Sequence, residues 1–215
     1  NPKNQLYDNL LTMPLFKGSS VMKAGTWYDP ARRTLDCMTG NGIVTVGDAA
    51  CQVNPIHGGG MGPSMMGGFT AGKAIIEAME REDLSRDGLW SYNIRYMQLY
   101  GASQASLDVF RLFFHGIGDD DLNYGMRHRL VTEEDLLKAT MGEAIHLNIT
   151  EATNRIFRGL GKLSLLKNLR DAANLMKKVR EHYKNYPISS QGFEEWKKRA
   201  RDLMEEAGKW GRSKK

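Results

Sequence analysis

The sequence predicts an α+β fold that is mainly α-helical, and two observations predict it. After Glu82, apolar residues recur at three- and four-residue spacing through most of the chain, which is the period of amphipathic helices. Before that point lies the β-branched run at residues 43–46, which is bounded by glycines and favours a strand. With 215 residues, the chain is long enough to bury a real hydrophobic core.

The first predicted elements are short. Residues 4–11 place three leucines and a tyrosine on one side of a helix, and Pro14 ends that helix. Residues 19–28 predict a strand, with Val21 and Trp27 among its inward side chains. Both elements precede the part of the chain in which motifs occur.

Two predicted turns precede the next strand. One lies at Asp29-Pro30 and the other at Gly40-Asn41-Gly42. Residues 43–46 predict a buried strand that ends at Gly47. A glycine-rich stretch follows, and residues 63–81 predict a helix. Its first turn tolerates a proline, because the missing N–H would be unpaired there in any case.

The rest of the chain predicts helices almost throughout. Residues 89–114 form one long helix with many aromatic side chains. Thr132 is a candidate N-cap, followed by acidic residues and by Leu136, Leu137 and Met141. Apolar stripes at residues 169–183 and 193–207 predict two more helices, the second closed by Gly208.

Composition excludes several classes of protein. The charged share of 26% and the apolar share of 41% are those of an ordinary globular protein, not of a disordered or fibrous one. Cys37 and Cys51 are too few for a disulfide framework and favour a reducing compartment. No apolar run approaches the ~18 residues of a membrane span, and we expect no signal peptide. The net charge of +5 fits nucleic acid, anionic lipid, an anionic cofactor or solubility alone.

The residues that indicate a functional site lie in the segment 43–68, IVTVGDAACQVNPIHGGGMGPSMMGG. The predicted strand places Asp48 just after its C-terminal end, and two alanines follow. A run of glycines then precedes the start of a predicted helix. If a flavin dinucleotide binds here, the carboxylate can accept hydrogen bonds from ribitol or sugar hydroxyls. The glycines let backbone N–H groups approach a flat ring, and the helix N-terminus favours negative charge.

This segment resembles the second FAD motif of the glutathione-reductase-type flavoproteins, in their aromatic-hydroxylase-like branch. The resemblance rests on GDAA at Gly47, NP at Asn54 and GGG at Gly58. Within that branch the sequence is most similar to geranylgeranyl reductases, and RRTLD from Arg32 and WSY from Trp90 fit the same order of elements. The motif covers residues 43–80, with weaker similarity to either side.

The resemblance implies a fold and a domain organisation. The chain would contain the end of a glutathione-reductase-type FAD-binding fold followed by a C-terminal helical domain. Residues 1–42 would be the end of a substrate-side β region, residues 43–82 the C-terminal FAD-binding segment, and residues 83–215 the helical domain.

It also implies a cofactor site. In this site Asp48 would hold the ribitol of FAD, and Pro55 and residues 58–61 would lie against the isoalloxazine and the adjoining phosphate side. The implied FAD-binding residues are Gly47, Asp48, Ala49, Pro55, Gly58, Gly59, Gly60 and Met61. The flavin itself carries the chemistry, so no catalytic side chain and no metal are assigned.

The family's activity is the reduction of carbon–carbon double bonds in geranylgeranyl chains of archaeal membrane lipids, with hydride from reduced flavin. The implied partners are a prenylated lipid, an electron donor that the sequence does not identify, and a membrane surface, without nucleic acid. The implied location is cytoplasmic, either free or peripheral at the cytoplasmic face of the membrane.

The sequence departs from the family pattern in two ways. The opening G-x-G-x-x-G of the FAD fold is missing, and so is the aromatic substrate-cavity motif. We therefore expect the chain to be the C-terminal part of such an enzyme, with one side of the flavin site. By itself it is expected to lack FAD and activity.

Several residues have a second interpretation. Asp48 is either a ribitol ligand or a helix N-cap, and His57 is either a proton donor or a structural loop residue. Cys51 is either redox-active or inert. The basic helix at residues 167–184 either contacts anionic lipid heads or is simply solvated on one face. The aromatic and methionine residues of 89–114 form either core or a prenyl tunnel.

Two other functions stay open from the sequence. One is a different flavoprotein of the same superfamily, such as a monooxygenase. The other is a helical membrane-surface or interaction module without catalysis. A relative of electron-transfer-flavoprotein dehydrogenase is excluded, because its iron–sulfur cluster needs more cysteines than the chain has.

Overall fold

Helices dominate the described part of the chain. The computed structural model describes residues 2–23, 28–130 and 162–212, together with positions 25, 132, 134 and 137. The α-helices are α1 (Pro2–Gln5), α2 (Met61–Glu80), α3 (Trp90–Tyr96), α4 (Ala102–Gly116), α5 (Asp119–Arg127), α6 (Leu163–Lys184) and α7 (Phe193–Arg212). The strands are β1 (Thr39–Gly40) and β2 (Ile43–Val44). The prediction of a mainly helical α+β chain is confirmed.

Shorter helical turns extend or connect these elements. A π-helical turn (Leu6–Leu10) continues α1, and a second one (Met97–Gly101) joins α3 to α4 into one run, as predicted for residues 89–114. Tight 3₁₀ turns lie at Pro14–Phe16, Gly47–Ala50 and Ser190–Gly192. The short helix predicted before Pro14 is therefore confirmed.

The strand predicted at residues 19–28 is wrong at its described positions, none of which is in a strand. Val21, Met22 and Tyr28 are exposed there, so they bury no apolar face that could stabilise a strand. Trp27 lies outside the described residues.

The β part is a single hairpin in the described residues. Thr39 pairs with Val44 and Gly40 with Ile43, antiparallel, around the turn predicted at residues 40–42. Gly42 has φ of +69°, which glycine adopts without steric cost.

The predicted buried strand at residues 43–46 is wrong in part. It stops at Val44, and the Ile43 side chain is 63% exposed. Beyond it, the Thr45 N–H donates to the Met38 carbonyl at 2.9 Å, and its own carbonyl accepts the Tyr92 hydroxyl at 2.9 Å. The bond between Thr45 and Met38 continues the register of the hairpin, but its reciprocal bond is not made, because the Thr45 carbonyl accepts from Tyr92 and the Met38 N–H donates to Asn93 Oδ1 at 2.8 Å.

Two helices carry the predicted apolar stripes. Both stripes are confirmed by their buried residues, which are Leu165, Ala172, Leu175, Met176, Val179 and Tyr183 in α6 and Phe193, Trp196, Ala200, Leu203, Met204 and Ala207 in α7. Gly208 does not close α7, which continues to Arg212. The reason is a core contact beyond the glycine, where Trp210 packs edge-on against Phe113 with ring centroids 5.7 Å apart. The cap and helix predicted from Thr132 to Met141 lie largely outside the described residues.

The core is continuous through the described residues. One cluster of buried side chains includes Met38, Ala74, Tyr96, Phe113 and Val179. Members therefore come from each of the three predicted segments, whose boundaries stay a prediction. Helix α4 packs on α6 and α7, and α2 packs on α3.

Helix α2 is apolar on two opposite sides. Its buried side consists of small residues, including Ala71, Ala74 and Ala78. Its other side is exposed and carries large apolar side chains, among them Met61, which is 86% exposed. The exposed members of this stripe are Met61, Met65, Phe69, Ile76 and Met79.

A charged cluster fastens residues 33–36 to the helices. Arg33 donates to the Tyr183 hydroxyl at 2.8 Å, and that hydroxyl donates to Asp36 at 2.8 Å. The Asp108 carboxylate, with a side chain only 2% exposed, accepts from Arg111 at 2.8 Å and lies 3.8 Å from Arg33. Burial raises the pKa of Tyr183, so the phenol keeps the proton that it donates.

Asp108→Ala is expected to destabilise the fold by about 3–5 kcal/mol, because two guanidinium groups lose the buried carboxylate between them. Urea unfolding followed by circular dichroism measures the change. Asp202→Ala removes an exposed carboxylate on α7 and serves as the control, with little expected effect. Equal effects of the two substitutions would contradict the role given to the cluster.

His182 is expected to titrate below its ordinary pKa of 6.5. Its ring stacks on Trp196, with centroids 4.9 Å apart, and this burial disfavours the imidazolium. The unfolded chain then binds more protons between the two pKa values, so stability falls as the pH drops from 6.5 toward the folded pKa. An NMR titration of the imidazole measures the shift, and a value at or above 6.5 would contradict it.

Candidate functional site

The turn Gly47–Ala50 begins the candidate site. Gly47 has φ of +68°, and its carbonyl accepts the Gln52 N–H at 3.0 Å. The Ala50 carbonyl accepts the Leu35 N–H at 3.1 Å and the Thr34 hydroxyl at 2.7 Å. The turn is therefore attached to the segment that the charged cluster holds. Asp48 and Ala49 are exposed on its outer side.

A buried amide fixes the inner side of this turn. Gln52 is fully buried; its Oε1 accepts the Gly47 N–H at 2.7 Å, and its Nε2 donates to the Tyr92 hydroxyl at 2.7 Å. Tyr92 in turn donates to the Thr45 carbonyl. Burial raises the pKa of Tyr92 to about 12, which keeps it neutral. Sequence reasoning missed Gln52 and placed Tyr92 only among the aromatic residues of the long helix.

The next loop closes on itself. The Asn54 N–H donates to the Gly59 carbonyl at 3.0 Å, and the Gly58 N–H donates to the Asn54 carbonyl at 2.9 Å. Gly58 has φ of +74°, and a Cβ there would clash with the Asp29 carboxylate. His57 accepts the Gly59 N–H on Nδ1 at 3.0 Å, an arrangement that favours the structural interpretation of this histidine.

Helix α2 begins at this loop without a side-chain cap. Gly60 occupies the N-cap position, and no side chain accepts from the first turn. The first N–H groups of a helix have no partner within it, so this end carries partial positive charge. The Asp48 carboxylate lies beside it, since a Cβ on Gly60 would be 3.6 Å from Asp48 Oδ1. Asp48 caps neither α2 nor the preceding turn, so the N-cap alternative is wrong.

A cleft of about 450 Å³ opens between the start of α2 and the long helix α3–α4. Of the predicted residues, Gly59, Gly60 and Met61 line it. Gly47, Asp48 and Ala49 lie in the adjacent turn. Pro55 is buried beneath the loop, and Gly58 lies against Asp29. Their contacts with a cofactor stay a prediction.

The opposite wall of the cleft comes from the long helix, where sequence reasoning considered only the aromatic and methionine residues, Tyr100 among them, as core or tunnel. This wall consists of Tyr100, Ser103, Gln104 and Leu107. Gln104 donates to the Val53 carbonyl at 2.9 Å and accepts the Tyr96 hydroxyl at 3.2 Å, which fixes the amide. The buried aromatic residues of the same helices, including Tyr92, Tyr96 and Phe113, belong to the core.

Cysteine and metal chemistry receive no support in the described residues. Cys37 and Cys51 are free thiols, and burial raises the pKa of Cys51, which favours the inert interpretation. Among the same residues, no group of histidine, cysteine and carboxylate side chains could hold a metal ion. None of the described helices combines the length and apolar character needed to cross a bilayer.

Comparison with known proteins places the chain in a family. It is 43% identical over 193 residues to a digeranylgeranylglycerophospholipid reductase of Sulfolobus acidocaldarius, a match that covers 90% of this chain and 42% of the relative. Reductases of the same name from Methanothrix thermoacetophila and Methanopyrus kandleri are 35% and 34% identical over 49% and 54% of this chain, and over 26% and 28% of their own lengths. No family model matches the chain.

The chain is therefore homologous to a class of oxidoreductases. With nine tenths of its residues aligned at this identity, it belongs to the geranylgeranyl reductase family, as the motifs predicted. It spans about two fifths of the length of the Sulfolobus relative.

Gly67→Ala is expected to destabilise the site by about 1–3 kcal/mol, because its Cβ would overlap the Gln52 amide. Gly68→Ala is the matched control. It lies next along the same helix with nothing within 4 Å of its Cβ, and it should be neutral or stabilising by up to about 1 kcal/mol. Chemical denaturation separates the two. A destabilised Gly68 variant together with an unaffected Gly67 variant would contradict the packing described for Gln52.

Proposed function

We propose that this chain is the C-terminal part of an FAD-dependent reductase that saturates carbon–carbon double bonds in geranylgeranyl chains of archaeal membrane lipids. The names of its relatives support the reaction and the lipid. The observation that carries the proposal is the uncapped N-terminus of α2, which opens into the cleft with Asp48 beside it. The relatives' names also favour reduction over monooxygenation.

The residues present fit FAD. A Cβ on Gly60 would lie 3.0 Å from Val53 and 3.6 Å from Asp48 Oδ1, so the glycine lets the start of α2 pack closely against the Asp48 turn. The Asp48 carboxylate, with Gly47 and Ala49, would hold the ribitol hydroxyls. Gly59, Gly60 and Met61 would lie against the isoalloxazine, with Pro55 and Gly58 shaping the loop that presents them. When bound, FAD supplies the hydride.

The chain's own side chains would bind and orient the reactants. Met61, Pro63 and Leu107 give the cleft apolar surface, which suits a flat ring or a prenyl chain and excludes water. Tyr100 and Ser103 place hydroxyls on the facing wall. The α2 N-terminus would stabilise negative charge at the edge of the cofactor that faces it.

The same proposal includes the partners and the location. The substrate is a prenylated lipid, and a separate electron donor reduces the flavin. The enzyme is cytoplasmic and contacts the membrane peripherally, where its substrate lies. Because this chain supplies one face of the flavin site, we expect no retained FAD and no reductase activity from the 215 residues alone.

Asp48→Ala, made in a protein of the relatives' full length that contains this chain, is expected to weaken FAD binding at least about tenfold. The reason is the loss of a charged hydrogen-bond acceptor, worth about 1.5–3 kcal/mol. Bound flavin per protein after gel filtration measures the effect.

The matched control is Glu80→Ala, which removes an exposed carboxylate at the far end of α2. It should leave flavin occupancy unchanged. Full FAD retention in the Asp48 variant would contradict the ribitol role and leave Asp48 as a structural residue of its turn.

A further inference from the structure

Helix α6 presents one continuous exposed line along its length. Positions separated alternately by four and three residues follow a single face of a helix. On α6 every member of this line is exposed. The line consists of Leu163, Lys167, Arg170, Asn174, Lys177, Glu181 and Lys184. Together with Lys178 at its side, these residues are called the basic face below.

The basic face is unbalanced in charge. Helix α6 has six Lys and Arg residues and two acidic residues, hence a net charge of +4, whereas the whole chain has +5. Its exposed cations, Lys167, Arg170, Lys177, Lys178 and Lys184, form no salt bridge with any residue of the described ranges. The salt bridges found there involve Arg33, Arg95, Arg111 and Lys162 instead.

Helix α7 shows what ordinary solvation of a helix face looks like in this protein. It is similar in length to α6 and has six Lys and Arg residues, but it also has five acidic residues. Its charges therefore nearly cancel, as they do on many solvated surfaces. The positive charge of the chain is thus concentrated on α6 and not spread over its helices.

Two large apolar side chains near the two ends of α6 in the sequence are also exposed. Leu163 begins the line and is 63% exposed, and Ile188, four residues past the end of the helix, is 88% exposed. A helix of 22 residues is about 33 Å long, so the cations form an extended row. Basic rows with exposed apolar residues suit a lipid interface, where side-chain stems enter the headgroup region and charges meet phosphates.

We infer that the basic face docks on the surface of a membrane that contains anionic phospholipids. The inference rests on the proposed function, because it gives the enzyme a contact with the membrane that holds its lipid substrate. Charge complementarity selects the anionic headgroup. The exposed Leu163 and Ile188 favour a bilayer over a nucleic acid, whose phosphate backbone offers them no apolar partner.

Vesicle cosedimentation of the 215-residue chain tests the inference without any need for flavin or activity. The vesicles contain either phosphatidylcholine alone or equal parts of phosphatidylcholine and phosphatidylglycerol. We expect binding to the anionic vesicles only, and we expect salt to weaken it. Equal binding to both kinds of vesicle, or to neither, would overturn the inference. A failure of flavin binding would overturn the proposed function and leave this result unaffected.

Two charge-matched variants locate the surface. The first combines Lys167→Gln, Arg170→Gln, Lys177→Gln and Lys184→Gln on the basic face. The second combines Lys198→Gln, Arg199→Gln, Arg201→Gln and Lys209→Gln at exposed positions of α7. The first should bind anionic vesicles at least about tenfold more weakly than the unmodified chain, and the second within about twofold. Circular dichroism verifies that both are folded.

A third variant, with Lys167→Arg, Lys177→Arg and Lys184→Arg, keeps the charge and should keep vesicle binding. Equal losses in the two glutamine variants would show a response to net charge alone and would overturn the docking surface. Tight binding of duplex DNA that the first variant abolishes, in a chain that leaves anionic vesicles unbound, would overturn it in favour of nucleic acid.

Discussion

The geometry of the candidate site depends on the buried side-chain amide of Gln52. Its oxygen accepts a hydrogen bond from the Gly47 N–H, and its nitrogen donates one to the Tyr92 hydroxyl of α3. The amide also fills the space that the missing side chain of Gly67 leaves on α2. One residue thus fixes the Asp48 turn against two helices. A buried amide with its donors and acceptors paired is stable in one orientation and costly in any other, so the turn has a defined position.

The charged cluster supports the same turn from the other side. Arg33 and Asp36 are held by Tyr183 and Asp108, and the residues between them, Thr34 and Leu35, donate to the Ala50 carbonyl. The helical region after Glu82 is therefore a framework for the glycine-rich motif. The cleft depends on it directly, because its second wall comes from Tyr100, in the turn that joins α3 to α4, and from the first residues of α4.

Sequence reasoning found the features that depend on local signals. Periodic apolar positions predicted the long helix, α6 and α7, and the glycine-rich stretch before Pro63 predicted the start of the helix that the structure shows as α2. The errors concern features that depend on distant partners. The strand at residues 19–28 has no apolar face to bury. The ladder of the run at 43–46 ends because the Thr45 carbonyl accepts from Tyr92 and the Met38 N–H donates to Asn93. The role of Gln52 could not be predicted because its partners lie on three separate segments.

The exposed stripe of α2 has a consequence for handling the protein. Met61, Met65, Phe69, Ile76 and Met79 face water on a helix whose opposite side is already packed. A helix that is apolar on both sides is normally enclosed between two layers. In solution, this chain by itself therefore exposes an apolar surface through which its copies can associate. Its tendency to aggregate will depend on the protein concentration and on mild detergents more than on the thermal stability of the fold.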